Sequence, residues 1–328
     1  MKIYIAVPPS AVQRSGNRHT AARWGRFLCG LGHRVRIGTE WRGGNDDCLI
    51  ALHARKSYPS ISRFHRRRPD GALVVALTGT DLYRDIRDYA EARQSLGMAT
   101  RLIVLQDEGL RELSPALRLK TSVVYQSSDV KRRHAPDASR FRVAVVGHLR
   151  DEKDPFRAVM AVRRIGRAAP VEVLQIGAAL NREMRTRSRG WRKLEPRYRW
   201  LGSVSHGAAM RWLASSHVLV VSSVMEGGAN VICEAARIGV PVLASRVPGN
   251  VGMLGRDYPG YFPLFDDKAL ARLIERCRTD AGYYKRLRSA LLRRRALFAP
   301  GAERVGLLRV LKTLPARPRS AGRRRGSG

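Results

Sequence analysis

At 328 residues the chain is long enough for about two domains. A hydrophobic content of 44% excludes a wholly disordered protein, and no apolar run approaches the ~18 residues that span a bilayer. The 62 Lys and Arg (nine lysines, 53 arginines) against 27 Asp and Glu give a formal net charge of +35. Such a field favours anionic partners, although an arginine-biased genome produces the same excess.

Short β-rich runs alternate with amphipathic stretches throughout, which is the pattern of an α/β protein with parallel sheets. In the first half, strands are predicted at 2–7, 33–37, 48–52, 72–77, 101–105 and 122–125, with helices at 19–31, 57–67, 85–95 and 108–113. A second series then starts afresh. Its strands are predicted at 142–146, 171–176, 218–221 and 240–244, and its helices near 156–167, 208–214 and 229–238. Two Rossmann-like units in tandem fit this better than one long sheet, and units of this kind facing each other leave a cleft suited to ligands. The join is placed in the polar, proline-broken segment His134-Ala135-Pro136-Asp137-Ala138-Ser139. The expected organisation is a first unit over 1–134, a second over 135–298, a helix over 299–314 returning toward the first unit, and a disordered basic tail over 315–328.

The first seven residues lack the longer apolar core of a signal peptide, so a cytoplasmic protein is expected. Cys29, Cys48, Cys233 and Cys277 stand far apart with no Cys-x-x-Cys pair, which predicts buried free thiols rather than a zinc knuckle or a disulfide scaffold.

The most informative stretch runs from Ser222 through Glu226-Gly227-Gly228-Ala229-Asn230 to Glu234 and on to Gly239-Val240-Pro241. A strand ends near Ser222, a glycine turn follows, and a helix opens around Ala229. Backbone N–H groups at a helix start, uncrowded at Gly227 and Gly228, suit a diphosphate. Glu226 in the turn and Glu234 on the helix can accept hydrogen bonds from sugar hydroxyls. A helix-capping turn with a solvated acid is the plainer alternative. A second block, Gly147-His148-Leu149-Arg150-Asp151-Glu152-Lys153, follows the first strand of the second series. Lys153 also reads as an exposed residue before a helix start at Pro155.

The first block resembles the Glu-x7-Glu signature of family 4 glycosyltransferases of the GT-B fold, and the resemblance extends from Lys2 to about Leu314. It implies two facing Rossmann-like domains, with Glu226 on the donor sugar and Glu234 on the ribose of a nucleotide diphosphate-sugar. The second block resembles the family's Gly-Arg-Leu…Lys motif, whose cations hold the donor diphosphate. Lys153 matches the lysine; His148 stands at the arginine position, and Arg150 is placed to substitute for it. Cations are needed there because the leaving diphosphate gains negative charge as the glycosidic bond breaks. The donor set is thus Gly147, His148, Arg150, Lys153, Glu226, Gly227, Gly228, Ala229, Asn230 and Glu234, with Glu226, Lys153 and Arg150 assigned to the chemistry. The resemblance implies no cofactor, and no Asp-x-Asp pair near the motif suggests a metal.

On the other side, Gly16-Asn17, His53-Ala54-Arg55-Lys56 and Thr78-Gly79-Thr80-Asp81 follow predicted strands, at the ends where open α/β sheets bind ligands. Family members often carry a His-Asp pair at the last site; with Asp81 aligned on the Asp, Thr80 stands where the histidine would be. A hydroxyl-rich turn beside His53, Arg55 and Lys56 would suit a small anion as acceptor, while turn chemistry and surface charge are the plainer reading. The segments Ser15-Gly16-Asn17-Arg18-His19-Thr20, Leu52-His53-Ala54-Arg55-Lys56-Ser57 and Ala76-Leu77-Thr78-Gly79-Thr80-Asp81-Leu82-Tyr83 are similar to the selenosugar synthases of selenoneine biosynthesis. That similarity implies attack of selenophosphate on a UDP-sugar, typically UDP-N-acetylglucosamine, with formation of a carbon–selenium bond.

Two other readings stay open on the residues alone. One is a glycosyltransferase acting on a lipid or polysaccharide acceptor at the inner membrane, its positive charge set against anionic lipid in peripheral contact. The other is an RNA-binding protein driven by the basic tail, although that tail carries no aromatic RNA-reading signature and implies no specific nucleic acid.

Overall fold

The computed structural model describes residues 1–9 and 16–315, so the tail expected to be disordered lies outside the described residues from 316 onward. The first unit runs β1 (Lys2–Ala6), α1 (Gly16–Cys29), β2 (Arg34–Gly38), β3 (Cys48–Leu52), α2 (Tyr58–Arg67), β4 (Ala72–Leu77), α3 (Ile86–Asp88), α4 (Ala90–Met98), β5 (Arg101–Val104), α5 (Pro115–Leu119) and β6 (Thr121–Val123). The second continues with β7 (Phe141–Val146), α6 (Arg157–Arg163), β8 (Val171–Ile176), α7 (Arg182–Leu194), β9 (Tyr198–Gly202), α8 (His206–Ala214), β10 (Val218–Val221), α9 (Asn230–Ile238), β11 (Val242–Ser245), α10 (Pro248–Leu254) and β12 (Tyr261–Phe262). Helices α11 (Asp267–Thr279), α12 (Ala281–Arg293) and α13 (Pro300–Lys312) close the chain.

Each unit is built on a six-stranded parallel sheet, ordered β2-β1-β3-β4-β5-β6 in the first and β12-β11-β10-β7-β8-β9 in the second. Strands β3, β4, β8 and β10 are buried along their whole length, which is why β3, β4 and β10 read as continuous apolar runs rather than alternations; β8 also buries Glu172 and Gln175. The edge strand β2 is mostly exposed and carries Arg34 and Arg36, charges that discourage pairing with another chain. Strand order reverses beside β1 in the first sheet and beside β7 in the second. The loops that follow β1, β3, β7 and β10 therefore open at the points where such sheets bind ligands.

Ile3, Ile5, Trp24 and Leu28 pack on one face of the first sheet, and Trp41, Ile61, Phe64 and Leu82 pack on the other. Helix α13 adds Leu307 and Val310 to the first of these clusters, so the end of the described chain crosses back onto the first unit. The second unit has its own core, which includes Val143, Phe156, Leu219 and Leu270.

The elements depart from the sequence expectation in a few places. The helix expected at 85–95 is interrupted at Tyr89, whose extended backbone (φ −125°, ψ 130°) caps α4, and a π-helical turn, Asp81–Asp85, precedes it. The stretch expected as a helix at 108–113 is a 3-10 turn, Asp107–Glu112, capped by the Gln106 side chain. Helix α7 escaped the pattern because only Met184 and Ser188 of its thirteen residues are buried, leaving no apolar stripe to read. Strands β9 and β12 escaped because one is half exposed and the other is two residues long. Cys48, Cys233 and Cys277 are buried free thiols; Cys29, expected to be buried with them, is exposed at the end of α1. Among the described residues, no helix is long and apolar enough to cross a membrane.

Candidate functional site

A cavity of about 420 Å³ lies between the two units, at the C-terminal ends of both sheets. On the second-unit side, β10 ends at Val221, and Ser222 Oγ donates to the carbonyl oxygens of Lys153 (3.2 Å) and Asp154 (2.8 Å). Val224 N–H donates to the Glu152 carbonyl at 2.9 Å, so the loops after β7 and β10 are laced together by backbone. The lacing brings Lys153 Nζ into an ion pair with Glu226, whose carboxylate also accepts from Ser223 Oγ at 2.6 Å. Gly147, His148, Arg150, Lys153, Glu226, Gly227, Gly228, Ala229, Asn230 and Glu234 all line the cavity. The His148 ring is held by Ala178 N–H donating to Nδ1 (3.3 Å), while the Arg150 side chain is about half exposed and lies 3.9 Å from Glu152.

Helix α9 starts at Asn230 with no side-chain cap, which leaves its first N–H groups for a ligand. Glu234 lies just over one turn along the same helix, with its Oε1 3.8 Å from His206 Nδ1. Burial pushes its carboxyl up to about 8, against the pull of Arg23.

The glycine turn has a role beyond sparing anion-binding N–H groups. A Cβ on Gly227 would stand 2.3 Å from the carbonyl carbon of Thr78 and 2.6 Å from Gly79 N. Gly227 thus lets the second unit's turn touch the backbone of the first unit directly. A second close approach lies at Gly252 of α10, where a Cβ would meet Gln106 Oε1 at 1.8 Å. Arg256 adds an ion pair to Glu108 at 2.8 Å across the same boundary.

On the first-unit side, Gly16, Asn17, His53, Lys56, Thr78, Gly79 and Thr80 line the cavity. Two residues expected beside them do not. The Arg55 guanidinium turns away to Asp85 (Nε to Oδ2 2.8 Å) and stacks over the Tyr89 ring with its centre 4.1 Å from the centroid. Asp81 is fully buried and accepts from the backbone N–H groups of Thr78 (2.9 Å), Gly79 (2.8 Å) and Ala54 (3.0 Å). A carboxylate holding three N–H groups ties the loops after β3 and β4 together and has no reach into the cavity. Arg84, which lines the cavity from the π-helical turn, takes the place expected for Arg55. Nothing local marked it, because its direction depends on a turn that the helical reading of 85–95 did not contain. His19, Gln126 and His206 also line the cavity and were missed: His19 falls at the start of the helix expected at 19–31, and Gln126 and His206 lie just outside the strand expected at 122–125 and the helix expected at 208–214.

Among the described residues, no group of three or more His, Cys, Asp or Glu is placed to hold a metal ion.

The family model of glycosyl transferases group 1 matches residues 126–292. The chain belongs to this family. Among curated proteins, no sequence matches it significantly. The structure of HepE from Anabaena in complex with UDP and glucose is 15% identical, with a TM-score of 0.74 over 96% of this chain and 100% of that one. Sucrose-phosphate synthase from Thermosynechococcus elongatus is 17% identical (TM-score 0.76; 95% and 98% covered), and the lipopolysaccharide outer core galactosyltransferase WaaB, in its apo form, is 14% identical (TM-score 0.67; 95% and 99% covered). At these identities the likeness is one of fold, and it is the GT-B fold: two Rossmann-like units facing across a cleft. In this group 1 glycosyltransferase the matched segment takes in the whole second sheet, and with it the glycine turn and both glutamates.

Proposed function

We propose that this group 1 glycosyltransferase transfers a sugar from a UDP-sugar, UDP-N-acetylglucosamine in our reading, to selenophosphate. The lone pair of selenium forms the C1–Se bond as the anomeric C1–O bond breaks, and that bond's electron pair leaves on UDP. Glu226 accepts from hydroxyls of the sugar and Glu234 from the ribose. Lys153, Arg150 and the uncapped start of α9 hold the charge that grows on the diphosphate. HepE, whose structure contains UDP and glucose on the same fold, supports a donor of this class.

The observation that carries the acceptor side is the composition of the first-unit wall. Among the described residues it presents His53, Lys56, Thr78, Thr80 and Arg84 to the cavity and no carboxylate; the lining acids Glu152, Glu226 and Glu234 all belong to the second unit. Cations and hydroxyls attract an oxyanion. Selenophosphate is already ionised near neutral pH and needs no general base, whereas a sugar or lipid hydroxyl would.

Mass spectrometry of products from purified protein, UDP-N-acetylglucosamine and selenophosphate tests the reading. A hexosamine–selenium adduct is expected, formed undiminished in EDTA. UDP release without selenium in the product overturns the acceptor. Loss of activity in EDTA, restored by Mg²⁺, overturns the metal-free leaving-group site.

The raised Glu234 carboxyl gives a pH prediction. Free protein is mostly protonated there below about 8. Ribose hydroxyls that donate to the group favour its carboxylate, so binding lowers this pKa and expels a proton. UDP affinity is expected to rise with pH up to about 8. Calorimetry in buffers of different ionisation enthalpy should show the released proton, and Glu234→Gln should abolish it. Equal proton release from both proteins removes Glu234 from the ribose site.

A further inference from the structure

His53 stands in an unusual position. Its backbone φ is +88°, a conformation that side chains with a Cβ rarely adopt, and its ring is buried between the loops after β3 and β4. Two hydrogen bonds fix the ring. Lys56 N–H, which can only donate, points at Nδ1 from 3.3 Å, and Nε2 lies 3.0 Å from Thr80 Oγ1. Nδ1 must therefore be the unprotonated nitrogen, which leaves the proton on Nε2. Nε2–H donates to Thr80 Oγ1, and the Thr80 hydroxyl keeps its own proton for the cavity that it lines.

The charged groups around the ring agree. Asp81 and Asp85 lie 3.9 and 3.7 Å from its nitrogens and favour a second proton; Lys56, Arg55 and above all burial oppose it. Burial prevails, holding the imidazole below the usual histidine value. A second proton on Nδ1 would also face the Lys56 N–H, donor against donor.

We propose that His53 is a positioning residue that acts as a fixed hydrogen-bond donor, turning the Thr80 hydroxyl into a donor aimed at the acceptor. The loops after β3 and β4 then offer the cavity donors and no base, so this part of the wall selects an acceptor that arrives ionised. This rests on the reading of the first-unit wall as the acceptor side and explains how that side discriminates.

The experiment has two arms. Long-range proton–nitrogen NMR of the full-length protein near neutral pH, with the His53 signals identified by their loss in His53→Asn, reads the tautomer directly. The neutral Nε2–H form is expected; an Nδ1–H form or an imidazolium overturns the proposal. The second arm is kinetic. His53→Asn tolerates the positive φ and keeps an acceptor near the Nδ1 position, but loses the donor to Thr80. With Thr80→Val, it should raise the selenophosphate KM about tenfold or more, as expected when a hydrogen bond to a charged group is lost, with UDP affinity unchanged. The double variant should be no worse than either single one, because both break one chain of contacts. His53→Gln, which carries an N–H near the Nε2 position, should restore most of the loss, and Thr80→Ser should be nearly neutral. Should His53→Asn lower kcat at unchanged KM and erase an ionisation from the pH profile, His53 is a base and the proposal fails. Should wild-type protein not use selenophosphate, the proposed function fails, and the tautomer alone decides the role of His53.

Discussion

Glu303→Ala is expected to lower the unfolding free energy by about 3–5 kcal/mol. The Glu303 carboxylate is 1% exposed and lies on α13, yet its partners come from α1 and from the segment that follows β6. It accepts from Arg23 Nε (2.6 Å) and Nη2 (3.0 Å), from Trp24 Nε1 (2.7 Å) and from Ser127 N–H (2.9 Å). Truncation would leave a nearly buried guanidinium, an indole N–H and a backbone N–H without their acceptor, and each is costly away from water. It would also loosen α13, whose Leu307 and Val310 complete the first core. Urea unfolding followed by tryptophan fluorescence measures the loss. A drop under 1 kcal/mol at unchanged slope would mean that water replaces the carboxylate without penalty. Arg23 also lies 3.5 Å from Asn230 Oδ1 at the start of α9, so the folded fraction of the variant should bind UDP more weakly too.

Gly227→Ala is expected to reduce kcat by about a hundredfold while changing UDP affinity only a few-fold. The added methyl would stand 2.3 and 2.4 Å from the carbonyl carbon and oxygen of Thr78 and 2.6 Å from Gly79 N. These are backbone atoms without a rotamer to change, so the units must separate by an ångström or more to admit it. Misplacement on that scale costs about 10² in rate when the reacting groups come from opposite walls. The groups proposed to hold UDP lie on the second unit alone and would stay together. Steady-state kinetics with calorimetry separates the two effects. A kcat within a factor of three of wild type would mean that the observed apposition is not the reacting arrangement.

Much of the fold was legible because a parallel sheet covered on both faces writes itself as apolar runs. Residues 48–52, 72–77 and 218–221 are such runs and coincide with β3, β4 and β10, and 171–176 coincides with β8 although it includes Glu172 and Gln175. The turn and helix that carry Glu226 and Glu234 were legible for a similar reason: a strand end, two glycines and a helix start are neighbours in sequence. Helix α7 and strand β9 were not, because α7 exposes most of its residues and β9 is only partly buried, which leaves little hydrophobic period to read.

The chain by itself thus determined the two-unit α/β organisation, the glycine turn and the set of loops that reach the cleft. Tertiary structure alone decided what the residues in those loops do. Arg55 and Lys56 are adjacent, yet one stacks on Tyr89 against Asp85 while the other lines the cavity. Asp81 became a three-fold backbone anchor, and Gly227 a contact between units. Arg23 and Glu303 are 280 residues apart. The physical reason is the range of the interactions. Helix and strand follow from the period of side chains a few residues apart, whereas the direction of a loop side chain follows from which charge or carbonyl the folded chain brings within about 3 Å of it.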